Sequence, residues 1–162
     1  MNDSNSRLIA SRSEFQAGLK DAFAMIAESG VSEIWLCDAN FADWPLNEPD
    51  VVSLLARWSL PHRRCNVLSL DFGVLQRRHP RWVQWRRDWA HVVHCMTPDE
   101  SGGSHLPSLL FAPGVVSVRL SDRIHYRGRL SNAAEDAART REEVGALFQR
   151  CVEAFPASTL GL

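Results

Sequence analysis

The sequence predicts one domain of the α/β class, on three observations. Its 162 residues match the usual size of a single domain. A hydrophobic share of 45% with six tryptophans is enough to build a core. Short apolar runs, typical of buried strands, alternate along the chain with stretches whose apolar residues recur at helical spacing. The resulting order is helix, strand, helix, strand, helix, strand, loop, hairpin, helix, which many doubly wound folds share.

The N-terminal part predicts a short tail and a first helix. Residues 1–10 are polar and are expected to form a flexible N-terminus, which leaves residues 11–162 as the folded domain. Ser11 and Glu14 have the spacing of a capping box, and apolar residues then recur at helical intervals. We therefore expect a helix that begins after Ser11 and ends at Gly30, a residue suited to a helix C-terminus.

Two strands and an intervening helix are predicted next. The apolar run at 34–41 is typical of a buried strand and is followed by a loop that contains proline. Asp50 is placed as an N-cap, and the helical spacing of apolar residues then continues as far as Pro61. Residues 65–72 are expected to form the second strand.

The middle of the chain predicts a tryptophan-rich helix. Residues 74–90 have helical spacing, with Pro80 either in the first turn of a helix or at a kink inside a longer one. Three tryptophans share one face of this helix, and a buried stripe explains them better than a platform for stacking bases. They are Trp82, Trp85 and Trp89. Residues 91–96 follow as a third strand.

The C-terminal part predicts a loop, a hairpin and a last helix. Residues 97–108 have the glycine, serine and proline content of a mobile loop. Apolar residues then resume as two strands around a turn at 121–123. Thr140 and Glu143 again have capping spacing, so the last helix is predicted from there to about Phe155.

Charge is distributed unevenly, although the formal net charge is −1. Residues 1–50 carry three basic and nine acidic side chains, whereas residues 51–95 carry eight arginines and two aspartates. Guanidinium groups bind phosphate oxygens well, so Arg77, Arg78 and Arg81 are candidates for binding nucleic acid or another anion. A solvated helix face explains the same arginines, and the chain as a whole is not basic.

Several classes of protein are disfavoured by what the sequence lacks. It contains no apolar run of 18 residues and no signal-like N-terminus, so we expect no membrane span and a cytoplasmic location. A P-loop, a dinucleotide-binding fingerprint and a GxSxG motif are also absent, so no cofactor is predicted. His91 and His94 would point to opposite faces of a strand, which disfavours a shared metal ion. The four cysteines, Cys37, Cys65, Cys95 and Cys151, are expected to be reduced thiols, mostly buried.

Residues 115–132, VVSVRLSDRIHYRGRLSN, carry the most informative pattern. Their spacing resembles the motif of the phospholipase D superfamily, which is HxKxxxxD, six further residues and GSxN. The nucleophilic histidine position of that motif falls on Val115 and the lysine position on Ser117. The aspartate position is retained as Asp122 and the asparagine position as Asn132, while the rest of GSxN is replaced.

The resemblance implies the fold of one phospholipase D-like half, a mixed β-sheet with helices on both faces. It also implies a homodimer, because active members assemble one site from two halves, and the hairpin would lie near the two-fold axis. Valine cannot attack phosphorus and serine cannot supply the cation, so the chain is expected to be non-catalytic. A remnant pocket binding a phosphate-containing ligand or a protein partner is then expected. Its candidate residues are Ser117, Asp122, His125, Asn132 and Glu143.

Two alternatives stay open at this point. One is a nucleic-acid-binding protein that uses the arginines of residues 77–87. The other is a phosphodiesterase with relocated chemistry, in which His105 or His125 acts with Asp122 and Glu143. Asp122 also has an ordinary structural explanation, since Ser-Asp-Arg is a favourable turn sequence.

Overall fold

A computed structural model describes residues 6–99 and 105–157 of the chain. Eight strands and five helices lie in these two ranges. In chain order they are β1 (Ser6–Ile9), α1 (Arg12–Ser29), β2 (Glu33–Asp38), α2 (Pro49–Trp58), β3 (Arg64–Ser69), α3 (Phe72–Arg78), α4 (Pro80–Asp88), β4 (Val93–Pro98), β5 (Ser108–Ala112), β6 (Val116–Asp122), β7 (Arg127–Ser131), α5 (Ala134–Gln149) and β8 (Cys151–Glu153). No helix in the described part is long and apolar enough to cross a bilayer.

The eight strands form one mixed sheet in the order β1-β7-β6-β5-β2-β3-β4-β8. Strands β2, β3 and β4 are parallel to one another, because α2 and then α3 with α4 carry the chain back between them. Strands β5, β6 and β7 are antiparallel neighbours joined by short turns, and β1 and β8 pair antiparallel at the two edges. The sheet therefore has a parallel half and a hairpin half.

Helices cover both faces of the sheet, but unequally. The larger core packs α1, α2 and α4 against inward residues such as Leu36, Val67 and Val118. The smaller core packs α5, through Val144, against residues of the opposite face such as Phe111. The predicted class, a mixed α/β sheet flanked by helices on both faces, is confirmed.

The helix caps and the tryptophans largely agree with the prediction. The Ser11 hydroxyl accepts from the N–H of Glu14 at 3.1 Å, and Gly30 ends α1 with φ 73°. Pro80 stands at the first turn of α4, so the stretch predicted as one helix is two. Trp82 and Trp85 are buried and Trp89 is partly buried, which confirms the interpretation of these rings as a core stripe.

Two edge strands were not predicted. Strand β1 occupies Ser6–Ile9, so the described part of the predicted flexible N-terminus is a paired strand. Three of its four residues are exposed, so the sequence carries no apolar run that would predict it. The strand is held in place by its pairing with β7. Strand β8 is equally short and pairs with β4.

The last helix also differs from the prediction. Helix α5 begins at Ala134, six residues before the predicted Thr140, and ends at Gln149. Its N-cap, Ala133, makes no side-chain cap hydrogen bond, so the sequence carries no cap signal there. Thr140 lies inside the helix and is buried. The predicted loop at 97–108 is shorter than expected, since β4 ends at Pro98 and β5 begins at Ser108, and residues 100–104 lie outside the described part.

Other observed element boundaries differ from the predicted ones by a few residues. Strand β2 ends at Asp38 because the Asp38 carboxylate accepts from the N–H groups of Asn40 and Phe41, which turns the chain. Helix α2 begins at Pro49 with Glu48 as N-cap, so Asp50 is in its first turn instead of at the cap. The four cysteines are free thiols, three of them buried, and burial raises the pKa of Cys95 to about 12.

Candidate functional site

A cleft of about 730 Å³ lies between α5 and the outer part of the sheet, on strands β6, β7 and β1. Four arginines and four hydroxyl side chains line it, together with two carboxylates and an apolar wall from β1. We call it the arginine cleft. Its polar lining residues are Ser117, Arg119, Ser121, Arg127, Arg129, Ser131, Asp136, Arg139, Thr140 and Glu143.

Strand register places these side chains on one face of the sheet. In the β6–β7 ladder Ser117 is paired with Ser131, and Arg119 with Arg129. Residues two apart on a strand point to the same side, so both pairs face α5, while Val118 and Leu130 between them face the larger core. The alternation of polar and apolar residues on these two strands therefore builds the floor of the cleft.

Gly128 allows the two strands of this floor to lie close together. A Cβ atom at this position would be 1.9 Å from the carbonyl oxygen of Arg119. The ladder is irregular beside it, between Leu120 and Asp122. Glycine is therefore needed between Arg127 and Arg129 for both arginines to border the cleft.

The charges of the cleft are only partly balanced. Arg119 forms an ion pair with Glu143 of α5, with Nη1 at 3.3 Å from Oε2. Arg139 pairs with Asp136 at 2.7 Å. Arg127 and Arg129 are exposed, and neither has an ion pair with any residue in the described ranges.

Asp136 is held in its charged form. The hydroxyl of Ser131 donates to Asp136 at 2.9 Å, and Arg139 donates from the other side. These two hydrogen bonds lower the pKa of Asp136 below its ordinary value. The carboxylate thus remains an anion that compensates Arg139.

A second cavity, of about 930 Å³, lies at the end of the β6–β7 hairpin and is called the hairpin-end cavity here. It shares Ser121 and Glu143 with the arginine cleft. Its buried carboxylate is Asp38, at the carboxyl end of β2, which accepts a hydrogen bond from the hydroxyl of Ser108 in addition to the two backbone N–H groups. Asp43 accepts from the Tyr126 hydroxyl at 2.8 Å and from Arg12 at 3.0 Å.

The hydrogen bonds of this second cavity are made within the protein. The bond to Asp43 raises the pKa of the Tyr126 hydroxyl, and the same carboxylate raises the pKa of Arg12. The hydrogen bond from Tyr126 to Asp43 fastens the tip of the hairpin to the loop that follows β2. Asp38 and Asp43 therefore have a structural role in this cavity.

The positions that match the phospholipase D motif lie at opposite ends of the hairpin. Val115 and Asn132 border a small cavity of about 130 Å³ whose other walls are mostly apolar. Asp122 is the last residue of β6, next to the turn, where it accepts from His125 Nδ1 at 2.9 Å, and this contact lowers the pKa of Asp122. Five residues separate Ser117 from Asp122 along β6, a distance of about 16 Å.

The five residues predicted for one pocket are therefore distributed over three cavities and the hairpin tip. Ser117 and Glu143 both line the arginine cleft. Asp122 and Glu143 both line the hairpin-end cavity, where His105 also lies. Asn132 borders the small apolar cavity with Ser117. His125 is exposed at the hairpin tip.

Sequence reasoning missed the arginines of the cleft, Arg119, Arg127, Arg129 and Arg139. The signal for three of them was present, because VSVRLSD and RGRLS alternate between polar and apolar residues as half-buried strands do. Their alignment across β6 and β7 depends on the register, which the alternation alone does not specify.

The predicted arginine cluster lies elsewhere. Arg77 and Arg78 occupy the last turn of α3, and Arg81 in α4 donates from Nη1 to the carbonyl oxygen of Asn47 at 3.2 Å. All three are exposed, on the face opposite to α5. Arg86, by contrast, is buried and donates to the carbonyl oxygens of Val93 and Phe155.

Metal ligation has no support in residues 6–99 and 105–157, where no three His, Cys, Asp or Glu side chains are grouped so that they could hold an ion. Of the three cavities described above, the arginine cleft has the most arginines and hydroxyl groups in its lining, which suits it to bind an anion.

Comparison with known proteins places the fold. No protein-family model and no curated protein matches the chain. Among solved structures, Nuc from Salmonella typhimurium, a phospholipase D family member, superposes with a TM-score of 0.62 at 10% identity over 94% of this chain and 99% of Nuc. NucT from Helicobacter pylori superposes with a TM-score of 0.60 at 7% identity over 94% of this chain and all of NucT.

TrmBL2, an archaeal chromatin protein described with a novel mode of DNA binding, gives a TM-score of 0.63 at 13% identity over 93% of this chain. The chain spans only 55% of the length of TrmBL2. At these identities the similarity concerns the fold. The chain therefore has a phospholipase D-like fold, in agreement with the expectation from its hairpin motif.

Proposed function

We propose that this chain is a non-catalytic phospholipase D-like domain that binds a phosphate-containing ligand in the arginine cleft. The observation that carries the proposal is the presence of two uncompensated arginines, Arg127 and Arg129, beside Arg119 and a row of hydroxyl groups. Guanidinium groups donate in pairs to phosphate oxygens, and serine or threonine hydroxyls complete such sites.

The strand register adds a second reason. Arg119 and Arg129 stand directly opposite each other on neighbouring strands, where like charges destabilise a sheet. Glu143 compensates Arg119, but Arg129 has no counter-charge of its own in the described part of the chain, because Asp136, on which it also acts electrostatically, is already paired with Arg139. A bound anion would supply it, so the arrangement favours a ligand over an empty cleft.

The absence of catalysis is proposed from the motif positions. Val115 has no nucleophilic atom, and Ser117 lacks the cation that the family's lysine supplies. Relocated chemistry would need a histidine at the anion site. His105 borders the hairpin-end cavity and His125 is engaged with Asp122 at the hairpin tip, so neither borders the arginine cleft.

Binding of pyrophosphate, measured by calorimetry, tests the proposal. The double variant R127Q/R129Q removes both uncompensated cations and is expected to weaken binding about a hundredfold. The matched control, R77Q/R78Q, removes the same charge from exposed arginines on the other face and is expected to bind as the wild type does. Equal loss in both variants, or no binding by the wild type, would overturn the proposal.

A homodimer remains part of the proposal, as does a protein partner. In a dimer with two-fold symmetry the β6–β7 hairpin of each copy would lie near the axis, bringing two arginine clefts into one region. Light scattering after size exclusion measures this directly. A mass of one chain at high protein concentration would contradict the dimer and leave the cleft proposal standing.

Nucleic-acid binding is the second candidate, favoured by the exposed Arg77, Arg78 and Arg81 and by the DNA binding described for TrmBL2. Affinity for DNA should then fall steeply with salt, since arginines that neutralise phosphates release counterions. The variant R78E/R81E should abolish it, whereas R127Q/R129Q should not. The opposite pattern would assign the DNA contact to the arginine cleft.

A phosphodiesterase with relocated residues is the third candidate. Turnover of bis(p-nitrophenyl) phosphate by the wild type, lost in His125→Ala and retained in His91→Ala, would establish it and overturn the non-catalytic proposal. We expect no turnover by any of the three proteins.

A further inference from the structure

Resting on the proposed function, we infer that the arginine cleft is specific for a terminal phosphate group, a phosphomonoester, over the phosphodiester linkage.

The charge of the cleft matches a dianion. Four arginines line it with two carboxylates, and each carboxylate forms an ion pair with one arginine. Arg127 and Arg129 form no ion pair in the described part of the chain, although Arg129 also acts electrostatically on Asp136, so the described lining carries two more positive than negative charges. A phosphomonoester carries close to two negative charges at neutral pH, whereas a phosphodiester carries one.

The donors also suit a group with three free oxygens. Arg127 and Arg129 lie two residues apart on β7, about 7 Å along the strand, and Arg119 stands opposite Arg129. Three guanidinium groups thus border the same cleft. A terminal phosphate has three unsubstituted oxygens to accept from them, while a diester has two and adds a second substituent to be housed.

The remaining wall indicates where the organic part of the ligand lies. Leu8 and Ile9 of β1 border the cleft, and Leu8 is 71% exposed. A monoester bound at Arg129 can place its single substituent over Leu8, since the two residues are paired across β1 and β7. Burial of this side chain by the ligand would contribute apolar contact to the affinity.

The charged groups around the bound phosphate would come from three of the surrounding elements. They are Arg119 on β6, Arg127 and Arg129 on β7, and Asp136, Arg139 and Glu143 on α5, while β1 contributes apolar side chains. No histidine lines the cleft within the described ranges. Between about pH 5.5 and pH 8, a change in affinity would therefore report the second ionisation of the ligand, which occurs near pH 6.

Calorimetry with three ligands of similar shape tests the inference. They are phenyl phosphate, methyl phenyl phosphate and phenyl sulfate, the last being a tetrahedral monoanion at every pH used. At about pH 7.5 we expect phenyl phosphate to bind roughly tenfold more tightly than either of the others, because of its additional charge. As the pH falls through about 6 this advantage should decline, while the affinity of phenyl sulfate stays constant.

Single variants assign the effect to the cleft. Arg129→Gln should weaken phenyl phosphate about ten- to a hundredfold and reduce its advantage over phenyl sulfate. Arg77→Gln, on the opposite face, should change neither value. Arg127→Gln serves as the second cleft variant in case Arg129→Gln folds poorly, which a thermal melt would reveal.

The possible failures are distinguishable. Equal affinity of the three ligands with no dependence on pH would overturn the inference and leave the proposed function intact. Failure of all three ligands to bind the wild type would overturn both. A phosphomonoester preference that survives in Arg129→Gln and Arg127→Gln would show that another part of the protein is responsible.

Discussion

The two halves of the sheet obey different constraints. In the parallel half, β2, β3 and β4 have helices on both faces, and residues such as Val67 and Leu68 are fully buried on opposite sides of the same strand. In the hairpin half, β6 and β7 bury one face only. Their other face presents arginine and serine side chains to an open cleft.

The difference arises from how α5 contacts the two parts of the sheet. Its residue Val144 packs over β2 and β5, whereas its contacts with β6 and β7 include polar ones, from Glu143 to Arg119 and from Asp136 to Ser131. Polar side chains can be accommodated there because water and ions reach them. The parallel half is therefore buried on both faces, whereas the hairpin half exposes polar groups on one face, and four predictions test this division.

The largest effect is expected from Gly128→Val, within the hairpin half. Its Cβ would overlap the carbonyl oxygen of Arg119, so β6 and β7 would have to separate. We expect a loss of roughly 4 kcal/mol or more in the free energy of unfolding, measured with urea. The control is Gly145→Ala, at an open position on α5, which should stabilise the protein by up to about 1 kcal/mol. A mild effect at Gly128 would contradict the close strand spacing.

The next effect compares a buried leucine with an exposed one. Leu36 on β2 is fully buried and Leu8 on β1 is 71% exposed. Leu36→Ala should destabilise the protein by about 3 kcal/mol through lost burial and a cavity. Leu8→Ala should change stability by less than about 0.5 kcal/mol. Similar losses in both variants would show that α5 or a partner covers the hairpin half.

A pH-dependent effect is expected from His79, which is buried between α3 and α4. Its Nε2 donates to the carbonyl oxygen of Phe41 at 2.7 Å, and burial lowers its pKa below 6.5. The unfolded chain then takes up a proton first as the pH falls below 6.5, so stability declines from there down to the pKa of the folded state.

Urea unfolding between about pH 8 and pH 5 measures this loss, and NMR titration assigns it to His79. His94, whose pKa burial also lowers, contributes in the same direction. The variant His79→Asn should show a shallower decline. A folded-state pKa at or above 6.5 in the NMR titration would refute the assignment.

The smallest effect on stability is expected from Glu143→Gln. The ion pair with Arg119 is partly exposed, with 35% and 38% of the two side chains accessible, so its loss should cost less than about 1 kcal/mol. The same change leaves a third arginine uncompensated, so the affinity for pyrophosphate should rise. Unchanged affinity together with a large loss of stability would mean that this pair serves the fold alone.

The sequence predicted the features that are encoded locally. The cap at Ser11, the end of α1 at Gly30 and the buried tryptophans of α4 each follow from residues within one or two helical turns. The hairpin motif around Asp122 predicted the correct fold, although its matching residues do not meet in one pocket. The spacing of the motif therefore predicted the topology, while the site residues that it suggested remain a prediction.

The features that escaped prediction depend on contacts between distant segments. Strand β1 exists only as the partner of β7, more than a hundred residues away along the chain. The opposition of Arg119 and Arg129 depends on the register of a hairpin whose ladder is irregular near Gly128. A shift of one residue would turn these arginines towards the larger core, so no local pattern could establish their positions.

The α/β alternation, the hairpin and the buried apolar faces could thus be predicted from the sequence alone, because hydrophobic periodicity and capping act over a few residues. Only the folded chain brings Asp136 and Glu143 of α5 over β7 and β6 and lets Arg119, Arg127 and Arg129 border one cleft. The physical reason is that charge balance depends on distances between side chains, and those distances exist only after the strands have paired and the helix has docked.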